Sequence, residues 1–261
     1  MTLKVVITGA SSGIGEALAV YYARQGATLG LMARRRASLD ELNYRLGGGH
    51  ACYPLDVTDA AALHAAAADF MGRFGAPDIV IANAGVSAGT LTECEEDLAA
   101  FRRVMDTNVF GMAATFAPFI PAMQAAGGEP RQRQRLVGIA SVAGIRGLPG
   151  AEAYSASKAA AITYLESLRL EMRPHGIRVV TIAPGYIATP MTAVNPYKMP
   201  FLLPADQAAE RFAAAIRGGT SYTVIPWPMG VVAKLLRMLP NWLYDRLFTK
   251  APRKPRGLLR D

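Results

Sequence analysis

The sequence predicts an α/β fold, a single doubly wound parallel sheet flanked by helices on both faces. Three observations carry this expectation. Short apolar, β-branched runs alternate with helix-length stretches, a glycine-rich turn joins the first run to the first helix, and 51% of the 261 residues are hydrophobic against 18% charged. Strands separated by helix-length connections pair in parallel, because a crossover is needed to return the chain in the same direction. So apolar a composition supports a large core and excludes disorder, and the length suits one domain.

KVVIT (4–8) reads as the first strand and EALAVYYARQ (16–25) as the first helix. ATLGLMA (27–33) and SLDELNYRL (38–46) repeat the pair, followed by DIVIANAG (78–85) and one helical stretch over 95–123. LVGIAS (136–141), AYSASKAAAITYLESLRLEM (153–172) and RVVTIAPG (178–185) continue the alternation. It then breaks into GYIATPMTAVNPYKMPFLLP, and an insertion this long in a compact domain reads as a functional loop, here a substrate loop over 186–204. A helix over 207–216 and a strand at YTVIP (222–226) close the main domain, residues 1–226. Residues 227–261 form a basic amphipathic extension, with Val231, Val232, Leu235, Leu236 and Leu239 on one helical face and Lys234 and Arg237 elsewhere.

The net charge of +8 raises a nucleic-acid reading, but residues 227–261 hold eight Lys or Arg against two Asp, so +6 of it belongs to the extension. RQRQR (131–135) reads as a solvated loop, and no nucleic-acid motif is present. Cys52 and Cys94 lack metal or redox spacing and are expected to be free thiols; with three scattered histidines they predict no metal site. No apolar run reaches the roughly 20 residues of a membrane span, and the N-terminus leads into a strand without a secretory pattern, so a cytoplasmic protein is expected.

The stretch VVITGASSGIGEAL (5–18) has two readings. Gly9, Ser11 and Gly13 spell the nucleophile elbow of a hydrolase. That elbow needs an oxyanion donor from a loop on an earlier strand, and only eight residues precede Gly9; none of His50, His64 and His175 sits in a triad context. The other reading uses Gly9, Gly13 and Gly15 to bring the backbone close to a phosphate at a helix N-terminus that begins near Ile14.

TGASSGIG (8–15), NAG (83–85), Asn108, Ser141, YSASK (154–158) and PG (184–185) together resemble the ordered motif set of the short-chain dehydrogenase/reductase superfamily, over residues 3–225. Ala82 departs from it, since many members carry a second asparagine before NAG. The resemblance implies a Rossmann-like domain and an oxidoreductase that reduces a ketone or aldehyde, or runs the reverse reaction. In it Tyr154 is the general acid or base, Lys158 assists it and binds the nicotinamide ribose, Ser141 bonds the substrate oxygen, and Asn108 holds a water linking Lys158 to solvent. Four residues apart on a helix, Tyr154 and Lys158 lie one turn from each other, and an ammonium so placed is expected to favour the phenolate.

By the same resemblance Gly9, Ser11, Ser12, Gly13, Ile14 and Gly15 hold the pyrophosphate. Asp56 and Val57 bracket adenine, Asn83, Ala84 and Gly85 pass the adenosine side, and Pro184, Gly185, Ile187 and Thr189 meet the nicotinamide end. The second strand runs into Arg34, Arg35 and Arg36 with no acid at its end, and the resemblance maps Arg34, helped by Arg35, to a ribose 2′-phosphate, so NADP(H) is expected over NAD(H). The apolar loop 186–204 points to a lipophilic substrate, family resemblance to a homodimer or homotetramer through 108–126 and 154–173, and the extension to peripheral contact with anionic lipid. A second function class is a dinucleotide-binding sensor or scaffold without turnover.

Overall fold

The structure is a computed structural model that describes residues 2–126 and 134–259. In chain order its elements are β1 (Lys4–Thr8), α1 (Gly13–Arg24), β2 (Thr28–Ala33), α2 (Arg36–Arg45), β3 (Ala51–Pro54), α3 (Ala60–Phe74) and β4 (Ile79–Ala82). Then come α4 (Leu98–Met105), a π-helical segment (Asp106–Phe110), α5 (Gly111–Phe116), α6 (Ile120–Ala125), β5 (Arg135–Ile139), α7 (Glu152–Met172) and β6 (Arg178–Pro184). The chain continues through β7 (Ile187–Ala188), α8 (Pro190–Ala193), β8 (Leu203–Pro204), α9 (Ala205–Gly218), β9 (Tyr222–Ile225), α10 (Trp227–Met238) and α11 (Asn241–Phe248).

The main sheet is parallel throughout, in the order β3-β2-β1-β4-β5-β6-β9, with Val5 opposite both Leu29 of β2 and Ile79 of β4. Side chains alternate between two cores. Val5, Ile7, Ile79, Ile81, Val137 and Ile139 pack on one face with Leu18, Tyr22 and Phe212 of α1 and α9. Val6, Val80 and Leu136 face the other, with Phe70, Phe116 and Leu165 of α3, α5 and α7. Both faces of each central strand are therefore buried, which is why these strands read as continuous apolar runs. The strand order reverses between β1 and β4, and in open α/β sheets the ligand crevice lies at that reversal, beyond the carboxyl ends of the strands.

Several expectations change. The third strand and α3 were not among the elements read from sequence: β3 is a four-residue edge strand ending in Pro54, and α3 is alanine-rich, so neither has a strong periodic signature. The single helix expected over 95–123 is broken into α4, the π segment, α5 and α6. Among its causes, Asn108 is drawn out to Val86 and Gly111 presses on Val57, where a Cβ would lie 2.6 Å from Val57 Cγ2. Residues 131–133 of the basic run lie outside the described residues, and Arg135 is no loop residue: it opens β5, is buried, and its Nε donates to Ile216 O at 3.1 Å. The loop 186–204 holds the β7–β8 pair and the single turn α8. On α10 the apolar side chains divide between two faces: Met229 and Ala233 are buried with Val232, Leu236 and Leu239 half-buried, whereas Val231 and Leu235 are exposed. The residues of 227–259 return onto the main body, with Tyr244 Oη donating to Gly147 O at 2.6 Å.

Helix α7 lies against β5 because Gly138 has no side chain; a Cβ there would lie 2.7 Å from Leu165 Cδ2. Gly138→Val is expected to lower unfolding free energy by about 1–3 kcal/mol through overpacking, read as a lower urea midpoint. An unchanged midpoint would show that α7 has room to move.

Candidate active site

The strand ends open on a cleft of about 450 Å³. At one end the turn after β1 presents Gly9, Ser11, Ser12, Gly13 and Ile14 to it. Gly9 and Gly13 have φ of 66° and 57°, a region that favours glycine, and Ser12 is the N-cap of α1 without a side-chain cap bond. The first amides of such a helix have no intrahelical acceptor and its dipole end is positive, which together make an anion cradle. Gly15 does not line the cleft. It lies beneath the turn, where a Cβ would overlap Gly9 O and come 2.5 Å from Asn83 Nδ2.

Thr8 and Asn83 hold this turn against the one after β4. Thr8 Oγ1 accepts from the amides of Asn83 and Ala84 at 3.1 and 3.2 Å, while Asn83 Nδ2 donates to Thr8 O and Gly9 O at 3.0 and 3.2 Å. Asn83, Ala84 and Gly85 follow along the cleft wall. Thr8 was not singled out from sequence, since its hydroxyl acts on backbone 75 residues away.

At the other end Ser141, Tyr154 and Lys158 converge. Ser141 Oγ accepts from Ala143 N at 3.1 Å and lines the cleft beside Tyr154. Lys158 is buried, its Nζ 5.8 Å from the centre of the Tyr154 ring and donating to Ile139 O at 2.9 Å. Burial pulls the Lys158 ammonium down to about 8. It also pushes the Tyr154 phenol up, opposed by the neighbouring Ser141 hydroxyl, so the expected lowering of Tyr154 by Lys158 is not what these protein groups produce. Both groups leave water here, and desolvation disfavours each charged form.

Asn108 does not line the cleft either. It is fully buried, accepting from Val86 N at 2.8 Å and donating to Val86 O and Ser157 Oγ, both at 3.0 Å. Its side chain thus ties the segment after β4 to α7, one residue from Lys158. Gly85 lies between them: a Cβ on it would be 3.1 Å from Asn108 Oδ1 and 3.6 Å from Lys158 Nζ.

Arg34 and Arg35, at the end of β2 and the N-cap of α2, border the cleft beside Asp56 and Val57. No acid follows β2 in sequence, but the structure brings Asp56 from beyond β3 to 4.0 Å from Arg34. One Asp56 oxygen is occupied by Thr58 N and Oγ1 at 2.9 and 2.8 Å, and the exposed pair with Arg34 is weak. Pro184, Gly185, Ile187 and Thr189 form the facing wall, and Thr189 approaches the phosphate turn: a Cβ on Gly13 would lie 3.1 Å from its Cγ2. Leu55, Val86, Thr107 and Thr192 also line the cleft without having been singled out, and Met191 joins them from the apolar loop 186–204. Adjacency to a motif was the available signal for most of them.

A Cβ-free cradle with unpaired amides, a cationic rim and a tyrosine–lysine pair at the far end fit a dinucleotide whose phosphates lie on α1 and whose reactive ring reaches Tyr154. The model of the family described as short chain dehydrogenase matches residues 3–199. An uncharacterized oxidoreductase of Myxococcus xanthus is 39% identical over 92% of this chain and 94% of its own. An 11-beta-hydroxysteroid dehydrogenase-like protein of Arabidopsis thaliana is 35% identical over 94% of this chain and 81% of its own. Among solved structures, an alcohol dehydrogenase from Thermococcus sibiricus, complexed with 5-hydroxy-NADP, superposes with a TM-score of 0.73 at 26% identity, covering 86% of this chain and 96% of that one. With the seven-stranded parallel sheet and the motif residues gathered at one cleft, these matches make the chain a member of the short-chain dehydrogenase/reductase superfamily, an NAD(P)-binding oxidoreductase acting on CH–OH or C=O groups.

Proposed function

We propose that the protein is an NADP(H)-dependent reductase of lipophilic ketones or aldehydes, with Tyr154 as the proton donor. The convergence of Ser141, Tyr154 and buried Lys158 at one end of the cleft carries the reading. Ser141 and Tyr154 orient the substrate carbonyl oxygen, and Tyr154 gives that oxygen its proton as the carbonyl carbon becomes an alcohol carbon. When bound, the dinucleotide supplies the hydride. A phenol raised by burial stays protonated at neutral pH, which suits reduction. Lys158 stabilises the phenolate that remains, and Asn108 with Lys158 forms the inner end of the route that returns a proton to it.

The exposed guanidinia of Arg34 and Arg35 favour a ribose 2′-phosphate, with Asp56 and Val57 beside the adenine. The substrate loop carries Tyr186 and Tyr197 with rings 6.4 Å apart, and leaves Met191, Phe201 and Leu202 exposed, which fits an apolar ligand. The Arabidopsis relative's name, a hydroxysteroid dehydrogenase-like protein, agrees with that class.

Phe110 and Leu170 are exposed on the segments 108–126 and 154–173, which supports a dimer or tetramer through these helices. Cytoplasmic location with peripheral attachment to anionic lipid is part of this proposal; no described helix is long and apolar enough to cross a membrane. Trp227, Val231, Leu235 and Met238 form an exposed stripe on α10 beside Lys234, with Trp242 exposed on α11.

Tyr154→Phe is expected to cut carbonyl reduction by about 10²–10⁴-fold while NADPH affinity stays within about threefold. No reductase activity in the unaltered protein across carbonyls graded by chain length would favour a sensor instead. Arg34→Asp is expected to weaken NADPH about tenfold or more in a fluorescence titration and to leave NADH nearly unchanged, from the loss of a charge-assisted bond; equal losses overturn the preference. Light scattering and flotation with anionic vesicles test association: an oligomer that floats at low salt and less at high salt is expected, since each basic residue contributes about 1 kcal/mol at the surface. A monomer overturns the oligomer, and failure to float in both salts overturns the lipid contact.

A further inference from the structure

The C-terminal tail crosses the segment after β4 and is anchored there by its own contacts. Gly89 N donates to Pro255 O at 2.9 Å, and Gly89 forms a parallel bridge with Arg256. Arg256 pairs with buried Asp97 at 2.6 Å and with Glu96 at 2.8 Å, and Arg103 Nη1 donates to Leu259 O at 3.2 Å. Gly89 has no room for a side chain, since a Cβ would lie 2.9 Å from Pro255 O. None of these contacts uses the Lys254 side chain.

Lys254 reaches elsewhere. Its Nζ donates to Ser87 Oγ at 3.0 Å and to Met191 O at 3.3 Å, both neutral acceptors, and among the described residues it forms no ion pair. It therefore joins three segments far apart in sequence: the tail, the stretch after β4 and the start of the substrate loop. Burial brings its ammonium down to about 8, and desolvating a cation with no counter-charge is unfavourable. Arg256 with its two carboxylates already suffices to hold the tail.

The anchored end is the one the cleft uses. Met191 sits in α8, a four-residue turn too short to be stable alone, and Pro190, Met191 and Thr192 line the cleft. Thr192 Oγ1 donates to Ile187 O at 2.6 Å, so a constraint on Met191 O reaches Ile187 and Thr189 on the wall facing the phosphate turn.

We propose that Lys254 is a positioning residue for substrate binding, its ammonium clamping the start of the substrate loop to the segment after β4 through Met191 O and Ser87 Oγ. The proposal rests on the reductase reading for its consequence but not for its geometry. Lys254→Met in the full chain is expected to speed amide hydrogen exchange over 187–195 about tenfold, the weight of a lost charge-assisted hydrogen bond, with β1 and β4 unchanged. KM for the carbonyl substrate should rise by a similar factor, with kcat and NADPH affinity within about twofold, and Lys254→Arg should restore both readouts. Ser87→Ala, which leaves the tail intact, should give a smaller change of the same kind and serves if Lys254→Met does not fold. Unchanged exchange over 187–195, or exchange rising equally over 86–97 and the sheet, overturns the clamp. Faster loop exchange in a protein without reductase activity leaves the clamp standing and removes the reductase.

Discussion

Where the strand order reverses between β1 and β4, the turns leaving the two strands meet backbone to backbone, with no volume left for a side chain at Gly15. Polar groups so close and so buried need partners, and Thr8 and Asn83 supply them by bonding across the gap to the main chain of the opposite turn. That junction joins the turn before α1 to the segment 83–86, which runs along the cleft wall. A parallel sheet has a crevice at such a reversal in any case. Here Gly9 and Gly15 permit the close approach of the two turns, and Thr8 and Asn83 bond across it.

The reacting end depends on burial in a different way. Tyr154 and Lys158 are held by α7, which is seated against β5 over Gly138, and Lys158 Nζ reaches back to the last carbonyl of that strand. Asn108, in the π segment, ties α7 to the stretch after β4. Three elements thus fix two titratable groups in a place poor in water, where neither charge is favoured by the protein alone. The protonation of both groups is therefore a property of packing as much as of the residues themselves.

The outer elements depend on one another for their conformation. The substrate loop contains little regular structure, and its first turn is too short to stand alone, so its conformation is imposed by neighbours. The tail is one of those neighbours, joined to the body by the Arg256 carboxylate pairs and reaching the loop through Lys254. Helix α10 covers the end of β6, where Gly185 leaves room for Met229, and turns Trp227, Val231, Leu235 and Met238 outward.

The alternation of apolar runs and helices, the glycine turn, and the tyrosine and lysine four residues apart are local patterns, so the sheet class was legible in the sequence, and resemblance to a known motif set pointed to about two thirds of the residues that line the cleft. Local patterns also misled: a helical period over 95–123 could not show that Asn108 bonds to Val86 and breaks it, and RQRQR gave no sign that Arg135 enters a strand to meet a carbonyl 81 residues on. Edge strand β3 left too short a signal to read. Tertiary structure alone decided which face of α10 is buried, that Asp56 lies beside Arg34, and that burial raises the Tyr154 phenol. Periodicity records only what a residue's immediate neighbours require, whereas desolvation and pairing depend on groups that the folded chain brings together from distant positions.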